Sequence, residues 1–357
     1  MQNAKLAINQ DKLDTFLGKA VADASAAVTC AANRLGEKLG LYRAMAGEGP
    51  LNADEVAEKA GTHPRLTQEW LNNQAASGYV TYDPKLGTYE LPAEHAVALA
   101  DEGSPALITG VYDVLAAIWR ADEKLIDGFR DGTGLGWHEQ DQRLFSGTER
   151  FFRPGYRTFL TTSWIPALDG VEEKLKKGAK VADVGCGHGA STVIMAETYP
   201  NSTFVGFDYH GASIETARRR AAEAGLDGRI SFERAPAQDF GGEGYDLVCF
   251  FDCLHDMGDP IGAARRALQA LKPDGTVLLV EPMAGDRVED NLNPVGAMFY
   301  GASVFLCVAN AVNQGGSVAL GAQAGEARLH EVFKEAGFGR FRRATETPFN
   351  LVLEAKP

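Results

Sequence analysis

The stretch DVGCGHGAS, residues 183–191, follows the apolar run KVADV and opens a segment with helical spacing. Glycines at 185, 187 and 189 let the backbone bend tightly and leave no Cβ between it and a ligand. Strand, glycine turn and helix, in that order, form the first unit of a sheet whose loops hold ligands. From Ala179 onward the pattern continues: TFVGFD (203–208), ISFERA (230–235), YDLVCFF (245–251) and TVLLVEP (276–282) read as strands, with helices at 191–199, 214–224 and 261–271. Apolar strands interleaved with helices specify a parallel sheet covered on both faces. The end departs from this: RFRRATET (340–347) and FNLVLEAK (349–356) are joined by a corner too short for a parallel crossover, so they pair antiparallel.

Upstream of about residue 170 helical periodicity dominates. Residues 20–41 are Ala-rich, and NADEVAEKAG opens with Asn52 and carries Glu55 three residues later, a capping-box pattern. A third helix, about 65–77, precedes YVTYDPKLGTYEL, two short strands around a Pro-Lys-Leu-Gly turn. Three helices and a hairpin are the order of a winged helix. From Arg34 to Pro92, however, six basic residues face eight acidic ones, and the third helix has only Arg65, offset by Glu69. A surface that reads a DNA groove needs Arg or Lys toward phosphates and bases, so dimerisation or substrate gating is the expected role. Residues 105–168 are helical and rich in aromatics, with GTGLGWHEQ (132–140) as a loop beside a pocket. The expected division is 1–104 (helical, dimerising), 105–168 (linker and substrate lid) and 169–357 (sheet domain).

A chain of 357 residues with 45% apolar content supplies a substantial core. Its net charge of −13 repels phosphate backbones and anionic membranes, so neither nucleic acid nor membrane is expected as a partner. The five cysteines form no Cys-x-x-Cys pair and lie in apolar segments; they read as buried thiols, and no metal site is expected. The start, MQNAKLAINQDKLDTF, lacks the basic opening and apolar stretch of a secretory leader, and no run approaches the ~20 apolar residues that cross a bilayer. A cytoplasmic location is expected.

The ligand of the glycine loop follows from its neighbours. Asp208 ends the second strand, 19 residues past Gly189, where a carboxylate can accept both hydroxyls of a ribose. The spacing is G-x-G-x-G, not the G-x-G-x-x-G of a dinucleotide loop, and Asp183 stands just before it. An acid there disfavours a pyrophosphate and suits the ammonium of a methionine moiety. With AQDF (237–240) after the third strand and the antiparallel terminal hairpin, this points to S-adenosylmethionine rather than NAD.

In these motifs the chain resembles the class I S-adenosylmethionine-dependent methyltransferases over roughly residues 160–357. The resemblance implies an α/β fold, a Rossmann-like class I sheet with an antiparallel C-terminal hairpin, here preceded by a mostly helical, winged-helix-like domain. It also implies a cofactor site of Asp183, Gly185, Gly187, Gly189, Asp208, Tyr209, Asp239, Phe240 and Phe251, with the loop around the methionine end, Asp208 on the ribose and the Asp239–Phe240 pair facing adenine. HDMGD (255–259), VEP around Glu281, NQGG (313–316) and AGF (336–338) further resemble motifs of the dimeric small-molecule O-methyltransferases. That likeness implies a homodimer formed through the N-terminal domain, His255 as general base, Glu281 as its buttress and Asn313 in the substrate pocket. Met257 stands where that family carries Trp, and its second buttressing Glu has no clean counterpart near Gln323 or Glu326.

Three readings of His255 stay open: proton acceptor, substrate contact without proton transfer, or a strand-end residue satisfied by backbone carbonyls. Asp256 reads as a cap for the helix beginning near Pro260. His138, Tyr156, Trp164, Met298 and Asn313 are candidate substrate residues. The expected activity is methyl transfer to a small hydroxylated molecule; the alternatives are N- or C-methylation of a small metabolite and a winged-helix transcriptional regulator with a ligand-sensing domain.

Overall fold

A computed structural model describes residues 8–357. The first seven, on which the reading of a leaderless start partly rests, lie outside the described residues. Two compact units divide at Ala116/Ala117, not at 104 and 168. The physical reason lies in two features. Helix Gly110–Asp131 spans the observed division and begins only after 104, and Tyr156, Leu160, Trp164, Ile165 and Leu168 belong to the same core as the sheet strands.

In the first unit, helix Gln10–Leu39 starts well before the expected Ala20 because Asn9 caps it, accepting from the Lys12 amide at 3.0 Å. Helix Ala53–Ala60 has both hydrogen bonds of the capping box between Asn52 and Glu55. Helix Pro64–Ala76 and the antiparallel strands β1 (Thr81–Asp83) and β2 (Thr88–Glu90) complete the winged helix. Trp70 lies directly on Gly36, where a Cβ would meet its indole at 2.3 Å, and donates to the Ala32 carbonyl. Beneath it the buried Asn33, Tyr42, Gln74 and Tyr112 hydrogen-bond to one another.

The second unit is built on strands β3 (Lys180–Val184), β4 (Thr203–Asp208), β5 (Ile230–Arg234), β6 (Tyr245–Phe251), β7 (Leu271–Pro282), β8 (Arg340–Glu346) and β9 (Asn350–Lys356). Their order is β5-β4-β3-β6-β7-β9-β8. Pairings from β5 to β7 are parallel, while β9 is antiparallel to both β7 and β8. Alternation along the strands sends side chains to opposite faces. Val181, Leu247, Cys249, Leu278 and Val280 join a core with Met195, Ile214 and Trp164, whereas Val184, Val248, Phe250 and Leu279 pack with Ala263, Leu329 and Phe333. The chain reverses direction across the sheet at β3, between β4 and β6, so the carboxyl ends of these strands open onto the crevice where such sheets bind ligands.

Pro294–Asn313 is a continuous helical stretch of 20 residues with mean hydropathy 1.7, long and apolar enough by length and composition to cross a membrane; 44% of the qualifying window is buried. Tyr300, Ser303, Asn310 and Asn313 interrupt the run without adding charge, which is why it does not stand out as an apolar block.

Candidate active site

The glycine loop connects β3 to helix Ala190–Thr198, and Gly185, Gly187 and Gly189 have φ of +76°, +51° and +73°. Their roles differ. A Cβ at Gly185 would strike Cys253 Sγ at 2.6 Å and one at Gly189 would strike Phe232 at 2.6 Å, but nothing lies within 4 Å of one at Gly187. Two glycines therefore serve packing, and the middle one leaves an open cradle. At its edge Asp183 is 1% exposed. Its Oδ2 accepts from Ser191 and Thr192 at 2.7 and 2.5 Å, while Oδ1 is buried without a partner. Burial pushes its pKa up to about 6 against those two hydrogen bonds. An unpartnered buried carboxylate oxygen beside an open cradle fits the ammonium end of S-adenosylmethionine.

Asp208 accepts from the amides of Gly187 (2.9 Å) and His210 (2.8 Å), tying the loop to the end of β4, and burial raises its pKa. Tyr209 follows it and reaches Asn310 Oδ1 at 3.5 Å. The Asp239–Phe240 pair splits. Asp239 is exposed, but the Phe240 ring packs on Phe207 and Tyr245 with Arg266 over its face. Phe240 is thus a core residue, because two aromatic neighbours outcompete an open pocket for its ring. Phe251 is buried at the end of β6 with its ring 5.5 Å from Tyr156.

Beyond β6 the chain turns through Asp252, whose φ is +49°. Its carboxylate accepts from Tyr156 (3.3 Å) and Asn350 (3.1 Å), and burial together with the nearby Glu281 pushes its pKa up to about 8. His255 follows on a short helical turn, 4% exposed. Its Nδ1 meets Glu281 Oε2, and Glu281 Oε1 accepts the Leu254 amide at 3.0 Å. Its Nε2 lies 3.1 Å from Asp256 Oδ1. Burial alone would lower the imidazole pKa, but Glu281 and Asp256 hold it well above its ordinary value. The expected cap role of Asp256 is corrected: Asp259 caps helix Pro260–Ala270, accepting from Gly262 at 2.7 Å, which leaves Asp256 to His255.

The substrate candidates scatter. Tyr156 is buried against Phe251 and Asp252. Trp164 is 1% exposed, in the core, with its Nε1 unpartnered. His138 is exposed, edge-on to Tyr209, and Met298 is 41% exposed. Asn313 is exposed and donates to the Thr133 carbonyl at 3.3 Å. The asparagine brought to His255 is Asn310, one turn earlier and 3% exposed: its Nδ2 donates to the Asp256 carbonyl and its Oδ1 accepts the Trp137 amide, both at 2.9 Å. Glu326 is committed to Arg343, so the second acid beside His255 is the adjacent Asp256. Asp252 and Asn310 escaped the sequence reading, and Asp256 and Cys307 were read only as a helix cap and a buried thiol; only the second asparagine of VANAVN offered a signal. Two π-helical segments, Tyr156–Trp164 and Ser303–Cys307, carry Tyr156 and Cys307; such irregular turns recur at functional sites.

Residues 175–337 match the family described as Methyltransferase domain, and residues 26–101 match the Rv2258c-like winged HTH domain. The 27-O-demethylrifamycin SV methyltransferase of Amycolatopsis mediterranei is 32% identical over 107 residues, which cover 29% of this chain and 39% of that protein. The mitomycin biosynthesis 6-O-methyltransferase of Streptomyces lavendulae is 25% identical over 258 residues, covering 67% of this chain and 70% of its own. The chain spans less than half the length of the rifamycin enzyme and of the ubiquinone biosynthesis O-methyltransferases it matches, 39% and 49%. Among solved structures, the mitomycin 7-O-methyltransferase MmcR superposes with TM-score 0.73 at 19% identity, covering 98% of this chain and all of that one. An O-methyltransferase from neocarzinostatin biosynthesis gives 0.63 at 20%, covering 95% and 98%. These likenesses extend the fold match over the whole chain. Residues 175–337, which hold the glycine cradle and the free oxygen of Asp183, are thus a methyltransferase domain, and an Rv2258c-like winged helix precedes it over residues 26–101.

Proposed function

We propose that the protein methylates an oxygen of a small, ring-containing acceptor, with His255 taking the proton. The observation that carries this reading is the pair of carboxylates, buried Glu281 and half-buried Asp256, on the two nitrogens of one buried imidazole at the carboxyl edge of β6. The relatives support the chemistry: the neocarzinostatin enzyme was solved with S-adenosylhomocysteine and 1,4-dihydroxy-2-naphthoic acid.

Asp183, Gly185, Gly187, Gly189, Asp208 and Tyr209 would hold the cofactor, with Asp239 at the adenine end. S-adenosylmethionine supplies a methyl group already activated on a sulfonium, so the chain's own task is to align the acceptor, exclude water and move one proton. Glu281 fixes the imidazole through Nδ1 and leaves Nε2 for the acceptor hydroxyl, which must take the place Asp256 holds at 3.1 Å. Burial and the nearby Glu281 push the Asp252 pKa up to about 8, which disfavours a further charge at the end of β6. The N-terminal unit serves homodimerisation: its long helix leaves Phe16, Leu17, Val21, Val28 and Leu35 at least half exposed, and Arg65 is paired with Glu69 rather than free for phosphate. A cytoplasmic location fits the cofactor.

Calorimetry with S-adenosylhomocysteine tests the cofactor site; heat consistent with one site per chain is expected, and no heat removes the reading. His255→Ala should retain that affinity and lose S-adenosylhomocysteine production across a panel of phenolic acceptors. Unchanged turnover excludes the base.

A further inference from the structure

His255, Asp256 and Cys307 present an imidazole nitrogen, a carboxylate oxygen and a thiol sulfur all within 4.8 Å of one another. Two of these residues come from the turn after β6 and the third from the π-helical segment Ser303–Cys307. His255 and Cys307 are 4% and 5% exposed, whereas the Asp256 side chain is 19% exposed. Asp256 Oδ1 is buried with no hydrogen-bond partner, although Nε2 stands only 3.1 Å away.

We propose that these three residues bind a divalent ion of the zinc class. The donor set of one nitrogen, one sulfur and one oxygen selects such an ion over magnesium or calcium, which take oxygen ligands. Three protein ligands with an open fourth position describe a zinc site that can accept an exogenous group. The surrounding shell is already built. Glu281 holds the opposite ring nitrogen, which is the carboxylate–histidine arrangement that orients a metal-ligating imidazole. The Asn310 amide pins the Asp256 backbone carbonyl at 2.9 Å. On binding, the ion takes the Nε2 lone pair, one carboxylate oxygen and the Cys307 sulfur; the Nε2 proton and the thiol proton both leave to solvent, Nδ1–H stays on Glu281, and no electron changes hands. The site uses the lone pair that proton abstraction needs, so occupancy by zinc regulates the transfer reaction by closing His255. The coordination itself stands whether or not the acceptor is a hydroxyl.

The test is a titration of Co²⁺ into the metal-free full-length protein. One equivalent should bind with thiolate-to-cobalt charge-transfer absorption and intense tetrahedral visible bands, and Zn²⁺ should displace it. Cys307→Ser should abolish the charge-transfer absorption, Asp256→Asn should weaken binding at least about tenfold, and Glu281→Gln should weaken it about 10–100-fold. S-adenosylhomocysteine affinity should persist in each variant, which separates loss of the ion from loss of the fold. X-ray absorption of the zinc-loaded wild type, independent of any variant, should show one sulfur at about 2.3 Å and nitrogen or oxygen at about 2.0–2.2 Å. Absence of a cobalt spectrum, its survival in Cys307→Ser, or a zinc shell without sulfur overturns the proposal. Cobalt binding without cofactor binding would instead remove the transfer reading and leave the metal site standing.

Discussion

The chain buries two clusters of polar side chains, and they differ in one respect. In the N-terminal unit Asn33, Tyr42, Gln74 and Tyr112 close upon one another, with no oxygen or nitrogen of the four left over. At the carboxyl edge of the sheet, Asp183 Oδ1 and Asp256 Oδ1 are buried without hydrogen-bond partners, and Asp183 and Asp252 are pushed up to about 6 and about 8. A closed network contributes to one unit's stability and specificity. An open one carries desolvation that a ligand relieves, and so marks where chemistry is done.

The sharpest way to break this contrast is at its open end. His255→Ala should reduce turnover by about 10²–10⁴-fold while calorimetric affinity for S-adenosylhomocysteine stays unchanged; a parallel loss of both would make the histidine part of the fold. Asp183→Asn removes the charge that faces the cradle and should weaken S-adenosylmethionine about ten- to hundredfold, the value of a hydrogen bond to a charged group. Proton competition gives the same residue a pH signature. The folded pKa is raised, and only the ionised carboxylate attracts an ammonium, so affinity is full well above about 6 and declines as the pH falls through it. Flat affinity from about pH 5 to about pH 8 would take Asp183 out of the site.

At the closed end the readout shifts from binding to stability. Asn33 is fully buried, and Asn33→Ala strands the Gln74 amide and a tyrosine hydroxyl. Urea denaturation should show a loss of about 1–3 kcal/mol, with cofactor affinity untouched. An unchanged midpoint would mean the network contributes nothing. The smallest effect is expected at the surface. Arg65 and Glu69 form an exposed i,i+4 pair, and Arg65→Ala should shift stability by no more than about 0.5 kcal/mol.

Much of this was legible before any coordinate. YDLVCFF and TFVGFD became strands with those same bounds, since continuous β-branched and aromatic residues have no other way to be buried on both faces of a sheet. The glycines, Asp183, Asp208, His255 and Glu281 lie at or near the carboxyl ends of β3, β4, β6 and β7, where the strand pattern of the sequence puts them. Phe240 was misplaced because a hydrophobic residue beside a pocket and one beneath it look alike in sequence. Asn310 and Asn313 stand one helical turn apart, and sequence does not tell which is buried: Asn310 is 3% exposed and bonds the Asp256 carbonyl, whereas Asn313 is exposed. Cys307 could not be seen at all. It stands more than fifty residues beyond His255, and the π-helical segment that brings it there leaves no mark in composition.

The sequence alone determined the order of strands and helices, the antiparallel finish and the kind of cofactor, because these rest on periodicity and on residues close in the chain. The tertiary structure decided which polar atoms go unpartnered: the packing of β3, β6, β7 and the Ser303–Cys307 segment buries Asp183 Oδ1 and Asp256 Oδ1 without a hydrogen-bond partner for either. Desolvation is a property of what surrounds a group in three dimensions, and it is what separates a site from a core.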